Sequence, residues 1–243
     1  MGNDFIDYRN SNHAWNNYED FIQTTILENG LLNICELGGG ANPMLEKKFI
    51  EANGLTYTVI DISQSELDKA PDYYNKVCAD IAGDEPITEN TYDIVFSKML
   101  AEHVRYGEKF HRNNYGLLKP GGYAVHFFPT MYAFPFFINR YMPERLASWV
   151  LNRLQPNRSP EGKNAKFPAF YSWCRGPSKK QINRFEGIGF NIDHYFGFFG
   201  HDGYYKKIPL LLNIHNKFCD ALLRKPMPLL TSFAWVKLKK PKF

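Results

Sequence analysis

Cysteine is scarce in this chain and never closely spaced: Cys35, Cys78, Cys174 and Cys219 stand far apart, with no Cys-x-x-Cys pair. That excludes a cysteine zinc site and a disulfide framework, and it fits a reducing, cytoplasmic setting. No apolar run reaches the roughly 18–20 residues that a bilayer requires, so no membrane span is expected. The opening MGNDFIDYRN lacks a basic start leading into an apolar core, and Ile6 stands where a myristoylation signal needs serine or threonine. A large excess of either charge is missing too: the net charge of +4 is modest, although lysines gather in the closing KLKKPKF. With 243 residues, 44% hydrophobic and 22% charged, the composition predicts a single α/β domain over 1–243 with a substantial core.

What is present is organised around residues 31–45, LLNICELGGGANPML. Leu32, Ile34 and Leu37 make a short apolar run bounded by glycine, which predicts a central parallel strand covered on both faces. Gly38, Gly39 and Gly40 tolerate positive φ and carry no β-carbons, so a ligand can lie against the main chain. Pro43 suits the first turn of a helix over 44–52, stopped by Asn53-Gly54. Strand, glycine turn and helix in this order predict a nucleotide-type ligand. A pyrophosphate-binding turn would need glycine at 38, 40 and 43, however, and position 43 is proline. Glu36 argues the same way, because a carboxylate two residues before the glycines repels a pyrophosphate and attracts a cationic ligand or accepts from its amine.

Residues 55–60, rich in β-branched and aromatic types, read as the next strand, with Asp61 at its end. An acid about 20 positions past a glycine turn accepts hydrogen bonds from ribose hydroxyls. The ordinary alternative is that Asp61 opens a turn or caps the helix from Ser63. Further strands are expected at 77–79, 92–97, 123–128, 190–199 and 232–238. Helices are expected at 110–118, stopped by Lys119-Pro120-Gly121-Gly122, and at 178–187. Residues 14–28 space Trp15, Tyr18, Phe21, Ile22 and Ile26 as one helix covering the sheet, and Tyr8 and Trp15 receive no site role. Two insertions, 129–177 and 200–230, interrupt the pattern. The first holds an aromatic run at 131–137, an amphipathic helix at 140–154 and a polar loop at 155–167 with Arg158, Lys163 and Lys166; the second holds an apolar helix at 208–223. They either shape an acceptor pocket above the strand ends or serve local packing or a dimer surface.

At Glu36, Gly38 and Gly40 the chain resembles the class I S-adenosylmethionine-dependent methyltransferases, whose first motif is an acidic residue followed by Gly-x-Gly. Asp80-Ile81 is similar to that family's third motif, and Leu117-Leu118-Lys119-Pro120-Gly121-Gly122 has its wording. The segment KMLAEHV after strand 92–97 resembles the small-molecule branch, while the Pro-Pro motif of nucleic-acid amino-methyltransferases is missing. The resemblance implies a seven-stranded, mostly parallel, Rossmann-like sheet of order 3-2-1-4-5-7-6, with its last strand antiparallel and helices on both faces. It also implies S-adenosylmethionine as cofactor, held by Glu36, Gly38, Gly39, Gly40, Asn42, Asp61, Ile62, Asp80, Ile81 and Ser97.

The implied activity is transfer of the cofactor's methyl group to a hydroxyl of a small or carrier-linked acceptor. A saccharide is one candidate class, and phenolic or isoprenoid metabolites are others. His103, just past strand 92–97, is the candidate proton acceptor, with Glu102 to orient or polarise it; His126 and His201 are rivals. Some relatives bind a divalent metal here through Glu-x-x-Glu-His, but the first acidic position is Met99, so no metal is expected. No nucleic-acid partner is expected; peripheral membrane contact and oligomeric state stay open. The alternatives are transfer to nitrogen or carbon, a non-catalytic interaction protein that keeps the cofactor fold, and a nicotinamide-dependent dehydrogenase, which Glu36 and Pro43 disfavour.

Overall fold

The computed structural model describes residues 4–85, 87, 89–131, 168–201 and 209–242. Their strands form one eight-stranded sheet: β1 (Ile6–Asn10), β2 (Asn33–Leu37), β3 (Thr56–Asp61), β4 (Asn75–Cys78), β5 (Tyr92–Lys98), β6 (Leu118–Pro129), β7 (Asn191–Phe199) and β8 (Phe233–Lys239). Read from one edge, the order is β4-β3-β2-β5-β6-β8-β7-β1. The seven expected strands therefore stand in the order 3-2-1-4-5-7-6, and β8 alone runs antiparallel to its neighbours. The eighth strand is a correction to the expected count. β1 pairs in parallel with the edge of β7, Ile6 opposite Tyr195 through Asn10 opposite Phe199. A partner so distant in sequence leaves no local signal.

Helices cover both faces. α1 (Ser11–Asn16), α2 (Tyr18–Asn29), α3 (Lys47–Ala52) and α4 (Gln64–Leu67) lie on one side, where Ala14, Tyr18, Ile22 and Ile50 pack with Ile34, Phe96 and Trp235. α5 (Gly107–Leu117) and α6 (Lys179–Glu186) lie on the other, packing Phe110 and Phe185 with Cys35, Leu37 and Val95. The alternation along β2 thus feeds two cores, as a strand covered on both faces requires. Each large apolar side chain buried there contributes roughly 1.5–3 kcal/mol over leaving it in water.

Several expected boundaries move. The single helix over 14–28 is two, broken at Asn17, whose side-chain amide donates to the His13 carbonyl. Leu32 is 53% exposed, outside the buried run. Pro43 precedes α3 by four positions and so lies outside the helix's first turn, because the Met44 N–H and the Leu45 carbonyl are taken by side chains from elsewhere. Lys119-Pro120-Gly121-Gly122 is a bulge within β6 and no separate turn: Tyr92 faces Leu118 and Ile94 faces Tyr123. The expected helix 140–154 and the loop 155–167 with Arg158, Lys163 and Lys166 lie outside the described residues.

Candidate active site

Parallel strands in this order gather their carboxyl ends at one edge, and the cleft opens where β2, β3, β4 and β5 finish. The Gly38 N–H donates to the Ile60 carbonyl at 2.7 Å, continuing the β2–β3 ladder into the glycine turn. Gly38 and Gly40 take φ of +73° and +45°, a region that disfavours any side chain. At Gly40 there is a second reason: a β-carbon would stand 3.2 Å from Asp61 Oδ2, in the space before that carboxylate. The turn closes with the Asn42 N–H donating to the Gly39 carbonyl at 3.0 Å, and the Asn42 side chain is exposed.

Asp61 divides its carboxylate. Oδ1 accepts from the Ser63 N–H at 2.9 Å, while Ser63 caps α4 by accepting from the Glu66 N–H. Oδ2 faces Gly40 and has no hydrogen-bond partner among the described residues. Oδ1 thus serves the turn, as the ordinary alternative expects, and Oδ2 stays open towards the glycine turn. Ile62 beside it is 70% exposed and lines the cleft, an apolar surface left open where a flat ring can rest. Across the cleft, Asp80 makes a tight turn, its Oδ1 accepting from the Ala82 N–H and its carbonyl from the Gly83 N–H, both at 2.9 Å; Ile81 is buried beside it. The cleft encloses about 640 Å³, within the range of small-molecule sites.

Glu36 and Ser97 take other places. Glu36 is buried, and its Oε2 accepts from the Tyr57 hydroxyl and from the Met44 N–H, so the carboxyl braces the loop after the glycines. Burial pushes its pKa up to about 7, although the Tyr57 and Met44 bonds and the Lys98 charge hold it down. Ser97 is wholly buried, its hydroxyl 2.9 Å from His126 Nδ1 and its carbonyl accepting from Tyr18. Neither lines the cleft, and of the glycine turn only Gly38 does, with Gly39, Gly40 and Asn42 beside it.

The wall beyond β5 is a 3₁₀ turn, Ala101–His103, entered through Met99 at φ +56°. His103 lines the cleft, and its Nδ1–H donates to the Pro168 carbonyl at 2.9 Å. In the neutral ring that places the lone pair on Nε2, 3.7 Å from Glu102 Oε1. Glu102 is buried and its Oε2 has no partner among the described residues; burial pushes its pKa up to about 8, so it is largely protonated at neutral pH. Burial drives the rival histidines the opposite way, His126 and His201 both down to about 3, which leaves them neutral and poor proton acceptors. The strap 168–174 crosses above: the Phe170 and Tyr171 N–H groups donate to the Glu102 carbonyl at 2.7 and 3.0 Å. Leu100, Arg105, Tyr106, Lys109 and Phe170 also line the cleft, and sequence reasoning missed them. The one available hint was the aromatic density of 167–173. Among the described residues no group of three or more His, Cys, Asp or Glu could hold a metal ion.

Residues 36–126, from the buried acid of β2 to the middle of β6, match the sequence model of a family described as a methyltransferase domain. The match is consistent with a class I S-adenosylmethionine-dependent methyltransferase. No curated protein matches the chain. Its fold is shared with a Galdieria sulphuraria protein proposed to be a sarcosine dimethylglycine methyltransferase (12% identity, TM-score 0.53, 92% of this chain and 85% of that one). It is shared also with an S-adenosylmethionine-dependent methyltransferase from Archaeoglobus fulgidus (14%, 0.51, 95% and 98%) and with the cyclase SpnF (15%, 0.52, 91% and 80%). The residues at the cleft fit S-adenosylmethionine: the bare backbone at Gly38 and the nearby Gly40 would lie against it, Asp61 Oδ2 would receive ribose hydroxyls, Ile62 would offer an apolar surface and Asp80 would meet the adenine amino group. No helix among the described residues is long and apolar enough to cross a membrane.

Proposed function

We propose that this methyltransferase acts on a hydroxyl of a small or carrier-linked acceptor, saccharides included, and that His103 removes the hydroxyl's proton. The observation that supports the reading is the His103 Nδ1–H bond to the Pro168 carbonyl, which sets the tautomer and leaves Nε2 basic. A hydroxyl is a poor nucleophile until its proton is shared, so a positioned base distinguishes this chemistry from methylation of a free amine. Bound in the cleft, the cofactor supplies a methyl group on positively charged sulfur. The chain's own part is to hold and orient: Asp61 and the glycine backbone fix one partner, and His103 draws the proton from the other. A cytoplasmic place belongs to the same reading, consistent with four free cysteines.

The test is incubation of the full chain with methyl-labelled S-adenosylmethionine and matched panels of sugars, phenols and amines. Label on hydroxyls, lost in His103→Ala, supports the reading; label on amines alone, at a rate His103→Ala leaves unchanged, overturns it. Cofactor binding with no turnover on any panel or on fractionated extract would favour the non-catalytic alternative.

A further inference from the structure

Beyond β7 the chain forms α7 (Pro209–Arg224), the most poorly covered helix of the described residues. One face holds it to the body: Cys219 and Leu222 are buried, with Leu223 partly so, against Phe199 of β7 and Tyr8 of β1. Next to that face Leu210, Leu211, Ile214 and Phe218 are exposed by 72%, 44%, 57% and 52%. At about 100° per residue these four span an arc of about 100°, one continuous stripe. Met227, Leu229 and Leu230 extend the exposed apolar surface past the helix end. Single exposed leucines need no explanation, but a stripe along a whole helix marks an interaction surface.

Charge identifies the partner. Lys217 and Arg224 border one edge of the stripe, away from the packed face, and Lys225 follows the helix directly, all three exposed and without an ion-pair partner among the described residues; Asp220 is the lone acid of the helix. An apolar stripe bordered along one edge by solvated cations matches a surface that is apolar below and anionic above. At 16 residues, about 24 Å, the helix is too short to span a hydrocarbon core and is suited to lie flat in its interface.

We infer that α7 docks this protein peripherally on an anionic lipid surface. The inference is independent of which atom is methylated. β7 runs parallel to β6, so its carboxyl end, from which α7 follows, lies on the sheet edge that carries the cleft. Docking through α7 therefore turns the cleft's edge of the sheet toward the bilayer.

Flotation of the full chain with phosphatidylcholine vesicles, with and without about one-third phosphatidylglycerol, tests the inference. The expected result is binding to the anionic vesicles only, weakened at 0.5 M salt and reduced at least tenfold by Ile214→Asp with Phe218→Asp. The milder pair Lys217→Glu and Arg224→Glu should weaken binding too, and it gives a reading should the first pair fail to fold. Folding is judged from the melting-temperature shift with S-adenosylhomocysteine. No binding of the wild type to anionic vesicles overturns the inference, as does binding that both pairs leave unchanged. A wild-type dimer that the apolar pair turns into monomer, without vesicle binding, assigns the stripe to a second copy. A large fall in melting temperature for the apolar pair, again with no vesicle binding by the wild type, assigns it to this chain's own residues 132–167.

Discussion

The Tyr57 hydroxyl of β3 donates to the Glu36 carboxyl of β2, tying two adjacent strands beneath the glycine turn. Glu36 lies in a buried site where ionisation is unfavourable, which is why its pKa is pushed up to about 7. The folded protein thus holds this proton more tightly than the unfolded chain. The contribution to stability is fully present below about pH 4.5 and is lost as pH rises through about 7. His126 and His201, held down to about 3, and Glu102, pushed up to about 8, add slopes of their own over this range, so the contribution is read as the difference in urea unfolding between wild type and Glu36→Gln, which should shrink as pH rises from 4.5 to 7. Tyr57→Phe should cost about 1–3 kcal/mol, the range for leaving a buried partner short of a donor.

Cofactor affinity should depend on the space between Gly40 and Asp61. If Asp61 receives ribose hydroxyls, Asp61→Asn should weaken S-adenosylhomocysteine by about 10- to 100-fold, the equivalent of one charge-assisted bond. Gly40→Ala should do comparable harm by placing a methyl before Asp61 Oδ2. Calorimetric titration measures both. S-adenosylmethionine should raise the wild-type melting temperature and NAD should not; equal stabilisation by the two would contradict the site as described.

Removing the imidazole should slow chemistry without loosening the cofactor. His103→Ala and His103→Gln should each lower the single-turnover rate by about 100- to 10,000-fold, the usual contribution of a general base. A rate unchanged in both variants would shift the role to another residue or leave orientation alone as the catalytic device.

Glu102 offers a pH signature of its own. Its folded pKa of about 8 lies above that of Glu36, so the decline in stability between pH 7 and 8 belongs mainly to Glu102. In Glu102→Gln that part of the decline should be absent, while activity at pH 7 changes little, since the wild-type carboxyl is already neutral there. Unfolding free energy and turnover, measured on the same variant, check the pair of outcomes.

Much of the strand-end framework around the cleft was legible along the chain because its parts are local. The glycines follow β2 directly and Asp61 ends β3, and in a parallel sheet strand ends meet at one edge whatever lies between them. The position of β8 between β6 and β7 came with the family likeness carried by the same residues. Pattern alone could not distinguish the side chains that face the cleft from those that face the core. Glu36 and Ser97 stand at motif positions, yet one hydrogen-bonds to Tyr57 and the other to His126, and both partners come from neighbouring strands. The choice among three histidines was likewise tertiary: the alternation of β6 gave no sign that His126 would be sealed between Ser97 and Asn114, or that Pro168 would reach back to His103. β1 was invisible because its ladder partner is β7, more than 180 residues on. Local sequence determined which segments become strands, turns and helices, because periodicity and glycine act within a few residues. Burial, tautomer and carboxyl ionisation depend on what the folded chain brings alongside, and only the tertiary structure decided them.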